Sequence, residues 1–527
     1  MNLAEILRLQ TERSPGLPAL VDRRGSIRRS VTVAELDRAS NRAAALLRKA
    51  RLRPGDGVLL ALPISIEIYI ALLAILRLGL VALVPDPSAG LAGLARCCTA
   101  WPPRAIIGGP RAHALRLVSS LLRKIPIPIA IGWPIPGAIQ WNPAASGIED
   151  VPIHDCPPEA PALVTFTSGS SGTPKTIVRS HGLLLAQLRA LQACLGPTSG
   201  ETELTTLPMF VLVNLGSGIC SLLPAASLRR PDAADPVPLA AQIAAEQPTR
   251  LLAAPALLER LADHCLARGK LWTSVRRICC GGGPVPPRLI EKLGRVAPAA
   301  EVLLVYGSSE AEPIAHLRAA DLSAGDWTAV RNGGGLPVGR VVPEIHLRIL
   351  ENQWGTPIGT CSQAAFEAAC LPPGRTGEIV VSGPHVVPGY LRGIGDLETK
   401  IAVEGAIWHR TGDAGYLDAE GRLWLLGRCA ARIQDARGTL YPLGVEAAAS
   451  EWPGIRRSAL VGVNGRRILV VEAVDRIDPV DLRQLQERLA WARLDEIRVM
   501  RDLPVDARHN AKADYAAIRL LVQDGLI

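Results

Sequence analysis

Between Val164 and Lys175 the chain reads Val-Thr-Phe-Thr-Ser-Gly-Ser-Ser-Gly-Thr-Pro-Lys. Ala162 to Phe166 is a short apolar run with β-branched and aromatic residues, the pattern of a buried strand. It opens onto Thr167, Ser168, Gly169, Ser170, Ser171, Gly172 and Thr173, where glycines let backbone N–H groups approach a ligand closely. Hydroxyls add donors and Lys175 adds a point charge, so the stretch is suited to cradle phosphate oxygens. It is not a Walker A loop, which needs Gly-Lys adjacent before Ser or Thr; Thr173 and Pro174 intervene between Gly172 and Lys175. A flexible Ser/Gly linker is the plainer reading of such a composition. The strand in front and the lysine behind favour phosphate.

Other stretches place polar groups at the ends of apolar runs. Arg277 to Pro284 runs into Gly281, Gly282, Gly283 and Pro284. Glycines at a strand's end allow a flat ring to lie against the backbone, or simply make a tight turn. Val302 to Gly307 reads as a strand ending in Tyr306-Gly307-Ser308-Ser309-Glu310. Glu310 suits a hard cation that takes carboxylate and phosphate oxygens, or equally a helix-terminal carboxylate. Trp408 to Tyr416 contains Asp413, and Gly421 to Arg428 comes next; one ionised carboxylate can accept two hydrogen bonds. Leu503 to Lys512 ends in a lysine that, taken alone, is a surface residue.

The elements that must position these groups are set by the pattern of apolar residues. Thr32-Val33-Ala34-Glu35 is a capping box, and Leu36, Ala39, Ala43, Leu46 and Leu47 then share one helical face. Val58 to Leu62 and Val81 to Val84 read as strands flanking a helix from Ile66 to Leu76, an alternation that predicts a parallel α/β sheet. Ile125 to Pro161, rich in Pro and Gly, is expected to be a long irregular connection. Gly182 to Cys194 reads as a helix, and Leu207 to Gly218 as an apolar segment that is core or the wall of a pocket. Strands at Ala459 to Val463 and Ile468 to Ala473 precede a helix from Pro479 to Ala492.

The 527 residues are 48% apolar and 20% charged, an ordinary globular balance. At about 150 residues per domain this length suits three units, or one large and one small. The net charge of +9 comes from scattered arginine pairs such as Arg23-Arg24, Arg229-Arg230 and Arg466-Arg467; without interleaved aromatics they argue against nucleic acid and suit small anionic substrates. Eleven cysteines with no C-x-x-C pair and no histidines at zinc spacing argue against a disulfide scaffold or zinc site. Reduced thiols and a cytoplasmic location are the expectation. Met1 to Pro15 lacks a signal-peptide core. The most apolar stretch, Val58 to Val84, is interrupted by Glu67 and Arg77 and falls short of the roughly 20 clean residues of a membrane span. It reads as buried core, with peripheral membrane contact left open.

Taken together and in this order, the motifs resemble the adenylate-forming superfamily of acyl-CoA synthetases, luciferases and peptide-synthetase adenylation domains. The resemblance implies that a carboxylate attacks the α-phosphate of ATP to give an acyl-adenylate and pyrophosphate, with Mg²⁺ as cofactor. It implies an α/β fold: a large N-terminal domain of α/β sheets plus a β-rich subdomain (1–427), a hinge (428–433) and a small mobile α+β lid (434–527). Thr167 to Thr173 and Lys175 would hold phosphates, and Gly281 to Pro284 would form the adenine turn. Tyr306 would stack on adenine within the Tyr306-Gly307-Ser308 turn. Ser309 would touch the α-phosphate, Glu310 would bind Mg²⁺ and Asp413 would accept both ribose hydroxyls. Arg428 would contact ribose or phosphate, and Lys512 would reach the carboxylate and α-phosphate; Thr167, Glu310 and Lys512 are the catalytic candidates.

Within the superfamily, Pro504-Val505-Asp506-Ala507-Arg508-His509-Asn510-Ala511-Lys512 resembles the olefin-biosynthesis β-lactone synthetases, as does Phe210-Val211-Leu212 without a following His. Thr176 after Lys175, Ala431 at the hinge and Gln434 depart from the usual pattern. The branch implies a 3-hydroxy fatty acid substrate and pathway partners of thiolase-like and reductase-like type. A fatty acyl-CoA synthetase, or a ligase loading an acyl carrier protein, is the alternative, and Gly438 keeps the backbone opening that such enzymes use for pantetheine. An inactive adenylate-binding protein is a third reading, opposed by the retained Lys175, Glu310, Asp413 and Lys512.

Overall fold

A computed structural model of the chain describes residues 1–85, 90–143, 150–168, 174–226, 228, 234–473, 478–505 and 513–527. They form two compact units. One comprises Met1–Arg229, Pro248–Leu252 and Pro384–Asp396, and the other Arg230–Gln247, Ala253–Gly383 and Leu397–Ile527.

The first unit contains a seven-stranded sheet in the order Ile139–Gln140, Ile127–Ala130, Ala105–Gly108, Gly57–Ala61, Val81–Val84, Pro161–Ser168, Pro174–Ser180. Every pairing is parallel except the last, an antiparallel hairpin. This is the parallel α/β sheet expected from the alternation of strands and helices. A second set of strands pairs Pro18–Arg24 with Cys220–Leu222, and that with Thr202–Thr205, both in parallel.

The Thr32 box caps the helix Val33–Lys49: the Thr32 hydroxyl accepts from Glu35 N at 3.2 Å while Thr32 N donates to the Glu35 carboxylate at 2.8 Å. Its apolar face is buried through Leu36, Ala43, Leu46 and Leu47. The helix Ile66–Arg77 is core, and its two charges are paired. Glu67 Oε2 accepts from Arg29 at 3.0 Å, and Arg77 joins Asp37 and donates to Val151 O at 3.1 Å. Among the described residues no helix is long and apolar enough to cross a membrane.

One expectation fails in this unit. Part of the supposed irregular connection is the strand Ile127–Ala130, inside the sheet and paired with Ala105–Gly108. Pro128 lies opposite Ile106. Proline usually disqualifies an interior strand because it cannot donate to the ladder. Four residues suffice here, and burial of Ile129 and Ala130 outweighs the missing donor.

The second unit begins with the parallel strands Arg277–Gly281 and Glu301–Ser308. The chain then turns antiparallel through Ala311–Arg318, Leu336–Val341, Arg422–Arg428, Ala406–Leu417, Gly377–Ser382 and His346–Leu350. The C-terminal segment adds a three-stranded sheet, Ile455–Val463, Arg466–Ala473 and Glu496–Met500, with helices Pro442–Ala449, Pro479–Arg488 and Tyr515–Gln523. The expected strands and helix are present here. Arg288 ties this segment to the rest of the unit, donating to Ile455 O at 2.6 Å.

Glu446 on the first of those helices accepts from Leu460 N at 3.0 Å, and the Tyr515 hydroxyl lies 2.9 Å from both of its carboxylate oxygens. Burial raises this carboxyl to about 7, against the hydrogen bonds that pull it down. The folded chain therefore holds the proton more tightly than the unfolded chain. The contribution of Glu446 to stability is full below its unfolded value of 4.5 and is lost as pH rises through about 7. Allowing for partial exposure the loss is about 2 kcal/mol. Glu446→Gln is expected to flatten the fall in melting temperature across that window, as read by thermal denaturation at stepped pH; an unchanged slope would contradict the assignment.

Candidate active site

The candidate residues of the second unit converge at strand ends. Gly281 ends its strand opposite Val305, and a Cβ there would stand 2.8 Å from Val305 O. Gly282 comes next with φ +84°, a conformation that side chains resist. Gly283 and Pro284 continue into the loop before the helix Pro287–Val296. The neighbouring strand carries Tyr306, Gly307 and Ser308, and Ser309–Glu310 form a turn into the antiparallel strand Ala311–Arg318. Glu310 is therefore at a hairpin turn, and the helix-terminal reading is excluded. Its N–H donates to the Ser308 hydroxyl at 3.2 Å.

Asp413 and Arg428 are register partners on adjacent antiparallel strands. Arg428 Nη1 lies 3.2 Å from Asp413 Oδ1, and the Tyr306 hydroxyl donates to Oδ2 at 2.9 Å. Each carboxylate oxygen thus has one protein partner and keeps accepting capacity for a second. The Asp413 side chain is 18% exposed, open enough to meet a ligand. Burial, then Asp413, pushes the Tyr306 phenol well above its ordinary value, so it stays a donor. Asp413 foremost, with Tyr306 and Glu310 nearby, raises Arg428. Tyr306, Glu310, Asp413 and Arg428 are thereby brought into one electrostatic cluster, beside the Gly281 turn.

Behind Asp413 on the same strand lies Arg410, fully buried against Glu378 with Nη2–Oε2 at 2.7 Å and Nε–Oε1 at 3.0 Å. The guanidinium also donates to Thr356 O at 2.7 Å. Arg410 sits inside the Trp408 to Tyr416 motif, yet the sequence alone assigns it no part. A charged residue within an interior strand is the available signal, but its partner is 32 residues away.

In the first unit Thr167 and Ser168 close the strand Pro161–Ser168, and Lys175 stands opposite Thr167 across the hairpin. Gly169, Ser170, Ser171, Gly172 and Thr173 lie outside the described residues. Lys175 is buried, with Nζ 5.0 Å from the centroid of the Tyr390 ring. Tyr390 is brought there by a bridge to Ile177 and by its N–H donating to Asp396 Oδ1 at 2.8 Å. Gly395, at φ +98°, completes the seat: a Cβ there would stand 2.7 Å from Lys175 Cε. The sequence gives Tyr390 no role, because nothing in the spacing links it to Lys175.

Such cation–π contacts are worth about 0.5 to 2 kcal/mol. Gly395→Ala is expected to displace the lysine and to lower kcat/KM for ATP by about tenfold, a loss equivalent to ~1.4 kcal/mol, and to lower the melting temperature as well, because alanine is strained at φ +98°. A substitution without kinetic effect would show that Lys175 does not depend on this seat.

In the same unit Val211, Leu212 and Leu215 of the segment read as core or pocket wall are buried in the hydrophobic core, with Met209 packed against it. Lys512 lies outside the described residues.

A family model described as AMP-binding enzyme matches residues 7–391. The chain is 33% identical over 500 residues to an olefin beta-lactone synthetase of Stenotrophomonas maltophilia (strain K279a), covering 91% of this chain and 88% of that protein. It is 32% identical over 511 residues to an olefin beta-lactone synthetase of Xanthomonas campestris pv. campestris, covering 92% and 89%. The structure resembles that of an amide bond synthetase from Marinactinospora thermotolerans, with a TM-score of 0.78, 24% identity, and 98% and 99% of the two chains covered. That likeness shows a shared fold. Given matches of this extent over the motifs described, the chain belongs to the AMP-binding enzyme family and is an adenylate-forming, AMP-releasing ligase.

Proposed function

We propose that the protein activates a 3-hydroxy fatty acid as its acyl-adenylate and then closes it to a β-lactone. One observation carries this reading: the likeness to the two olefin beta-lactone synthetases extends over nine-tenths of the chain, beyond the part matched by the family model. In the first step a carboxylate oxygen of the acid attacks the α-phosphorus of ATP, and the bond to the bridging oxygen breaks to release pyrophosphate. In the second, the substrate's own hydroxyl oxygen attacks the activated carbonyl carbon. The bond to AMP breaks and the hydroxyl proton passes to solvent. The nucleophile is tethered, so the entropy of bringing two molecules together is avoided, which offsets part of the ring strain.

Asp413 accepts the two ribose hydroxyls in this account, aimed by Tyr306 and Arg428, with the Gly281–Pro284 turn against the adenine. Lys175 and the loop from Thr167 to Thr173 hold phosphates. Among the described residues no group of three or more His, Cys, Asp and Glu could hold a metal. Glu310 as a lone carboxylate fits Mg²⁺, which keeps waters and shares phosphate oxygens; bound there it neutralises triphosphate charge. Lys512 stabilises charge building at phosphorus, delivered by a lid of residues 434–527 turning about 428–433.

A CoA or carrier-protein ligase is the second reading. Gly438 favours it: φ is +105° with nothing within 4 Å of a Cβ, an open strip of backbone. Product mass separates the two. With ATP, Mg²⁺ and a long-chain 3-hydroxy acid, the lactone reading expects the acid minus water, with AMP, in the absence of CoA. A thioester formed only with CoA would move the protein to the acyl-CoA synthetases; no AMP in either case leaves a different acid, a carrier-protein acceptor or an inactive protein, which pyrophosphate exchange over a panel of acids separates.

A further inference from the structure

We propose that the outer edge of the parallel sheet in the first unit docks on an anionic lipid bilayer. From Pro87 to Ile148 the sequence has no Asp or Glu and six Lys and Arg. In a chain with 49 acidic residues among 527, 62 consecutive residues without one is a strong local bias. The segment builds the edge strands Ile139–Gln140, Ile127–Ala130 and Ala105–Gly108 with their connections. Arg96, Arg104, Arg111, Arg123 and Lys124 are exposed.

The same segment holds seven of the sixteen exposed large hydrophobic residues among the described ones. Leu117 is 74% exposed, Val118 72% and Trp133 77%. These are not loose ends. Leu117 and Val118 finish the helix Pro110–Val118, and the Arg123 guanidinium, still exposed, donates to the carbonyls of Arg116 and Leu117, which places a cation beside the apolar pair. The loop bearing Trp133 is closed by Gln140 Nε2 donating to Gly132 O at 2.9 Å and Ala138 N to Ile135 O at 3.0 Å.

Leu117 and Val118 exposed beside Arg123, in an edge segment that also exposes Trp133, have the chemistry of a surface that lies in the headgroup layer. Protein interfaces deplete lysine and match charges of opposite sign; from Pro87 to Ile148 the second sign is missing. On the substrate proposed above, the surface brings the enzyme to where long acyl chains partition, but lipid binding itself needs no turnover.

The test is flotation of the full-length protein with phosphatidylcholine vesicles, with and without phosphatidylglycerol. Binding is expected with the anionic vesicles, weakened by high salt. Arg123→Gln with Lys124→Gln should reduce partitioning about fivefold per charge. Leu117→Ser with Val118→Ser and Trp133→Ser should reduce it at least as much, with melting temperatures and ATP–pyrophosphate exchange unchanged. Absence of wild-type binding to anionic vesicles overturns the proposal. So does equal, salt-insensitive binding to both vesicles, or binding that neither set of variants weakens. A wild-type oligomer dissolved by the serine variants, with no flotation, would assign the surface to contact between copies and overturn it as well.

Discussion

Asp413→Asn is expected to lower kcat/KM for ATP by about 10² to 10³, measured by ATP–pyrophosphate exchange. The asparagine keeps the volume and its carbonyl oxygen, but it replaces one acceptor with a donor. In the native cluster Tyr306 occupies one site on Oδ2 and Arg428 one on Oδ1, leaving one further site on each oxygen for the ribose. Hydrogen bonds to an ionised group contribute about 1.5 to 3 kcal/mol each. The variant loses one outright and weakens the other by removing the charge, and a decade of rate corresponds to ~1.4 kcal/mol. The fold should persist, because Asp413 is a half-buried strand residue whose backbone pairing is untouched. A loss below about tenfold would show that the carboxylate does not hold the nucleotide.

Arg410→Met carries the largest expected effect on stability. Neither Arg410 nor Glu378 has any exposed side-chain surface. Removing the cation leaves an uncompensated carboxylate in the core, which costs about 3 to 5 kcal/mol. Burial already raises the Glu378 carboxyl, opposed by the Arg410 hydrogen bonds; without them it would take up a proton. The Arg410→Met protein should therefore melt markedly lower by thermal or urea denaturation, and Glu378→Met in the same chain should restore much of the loss. A single variant within about 1 kcal/mol of the parent, or a double variant no better than the single, would contradict the account. Asp413 lies three residues along the same strand, so damage here should also reach nucleotide affinity.

The candidate site is legible in the sequence where chemistry sits in short runs. Tyr306 to Glu310 and Asp413 to Arg428 stand out as local motifs; pairing of adjacent strands joins Asp413 to Arg428, and the Tyr306 hydroxyl reaches Asp413 from a strand further along the same sheet. The strand Val81–Val84 and the Thr32 cap are legible for the same reason: each depends on neighbours within four or five residues. The features that escape sequence reasoning depend on partners far along the chain. The Arg410–Glu378 pair spans 32 residues, and Tyr390 reaches Lys175 through a bridge to Ile177. Pro128 misleads because a proline is expected to stop a strand that burial here supports. For Glu310 the return strand Ala311–Arg318 decides between the alternatives, since a hairpin and a helix start differ beyond the turn and not within it.

In the proposed mechanism the carboxylate is activated and the hydroxyl closes the ring. That mechanism is tested most directly by the fate of ¹⁸O placed in both carboxylate oxygens of the 3-hydroxy acid, read by mass spectrometry of AMP and product together. One ¹⁸O is expected in AMP and one in the lactone, because the attacking carboxylate oxygen leaves with the phosphate. A lactone that keeps both labels beside unlabelled AMP would mean that the hydroxyl is the activated group and the carboxylate displaces it, and would contradict that mechanism.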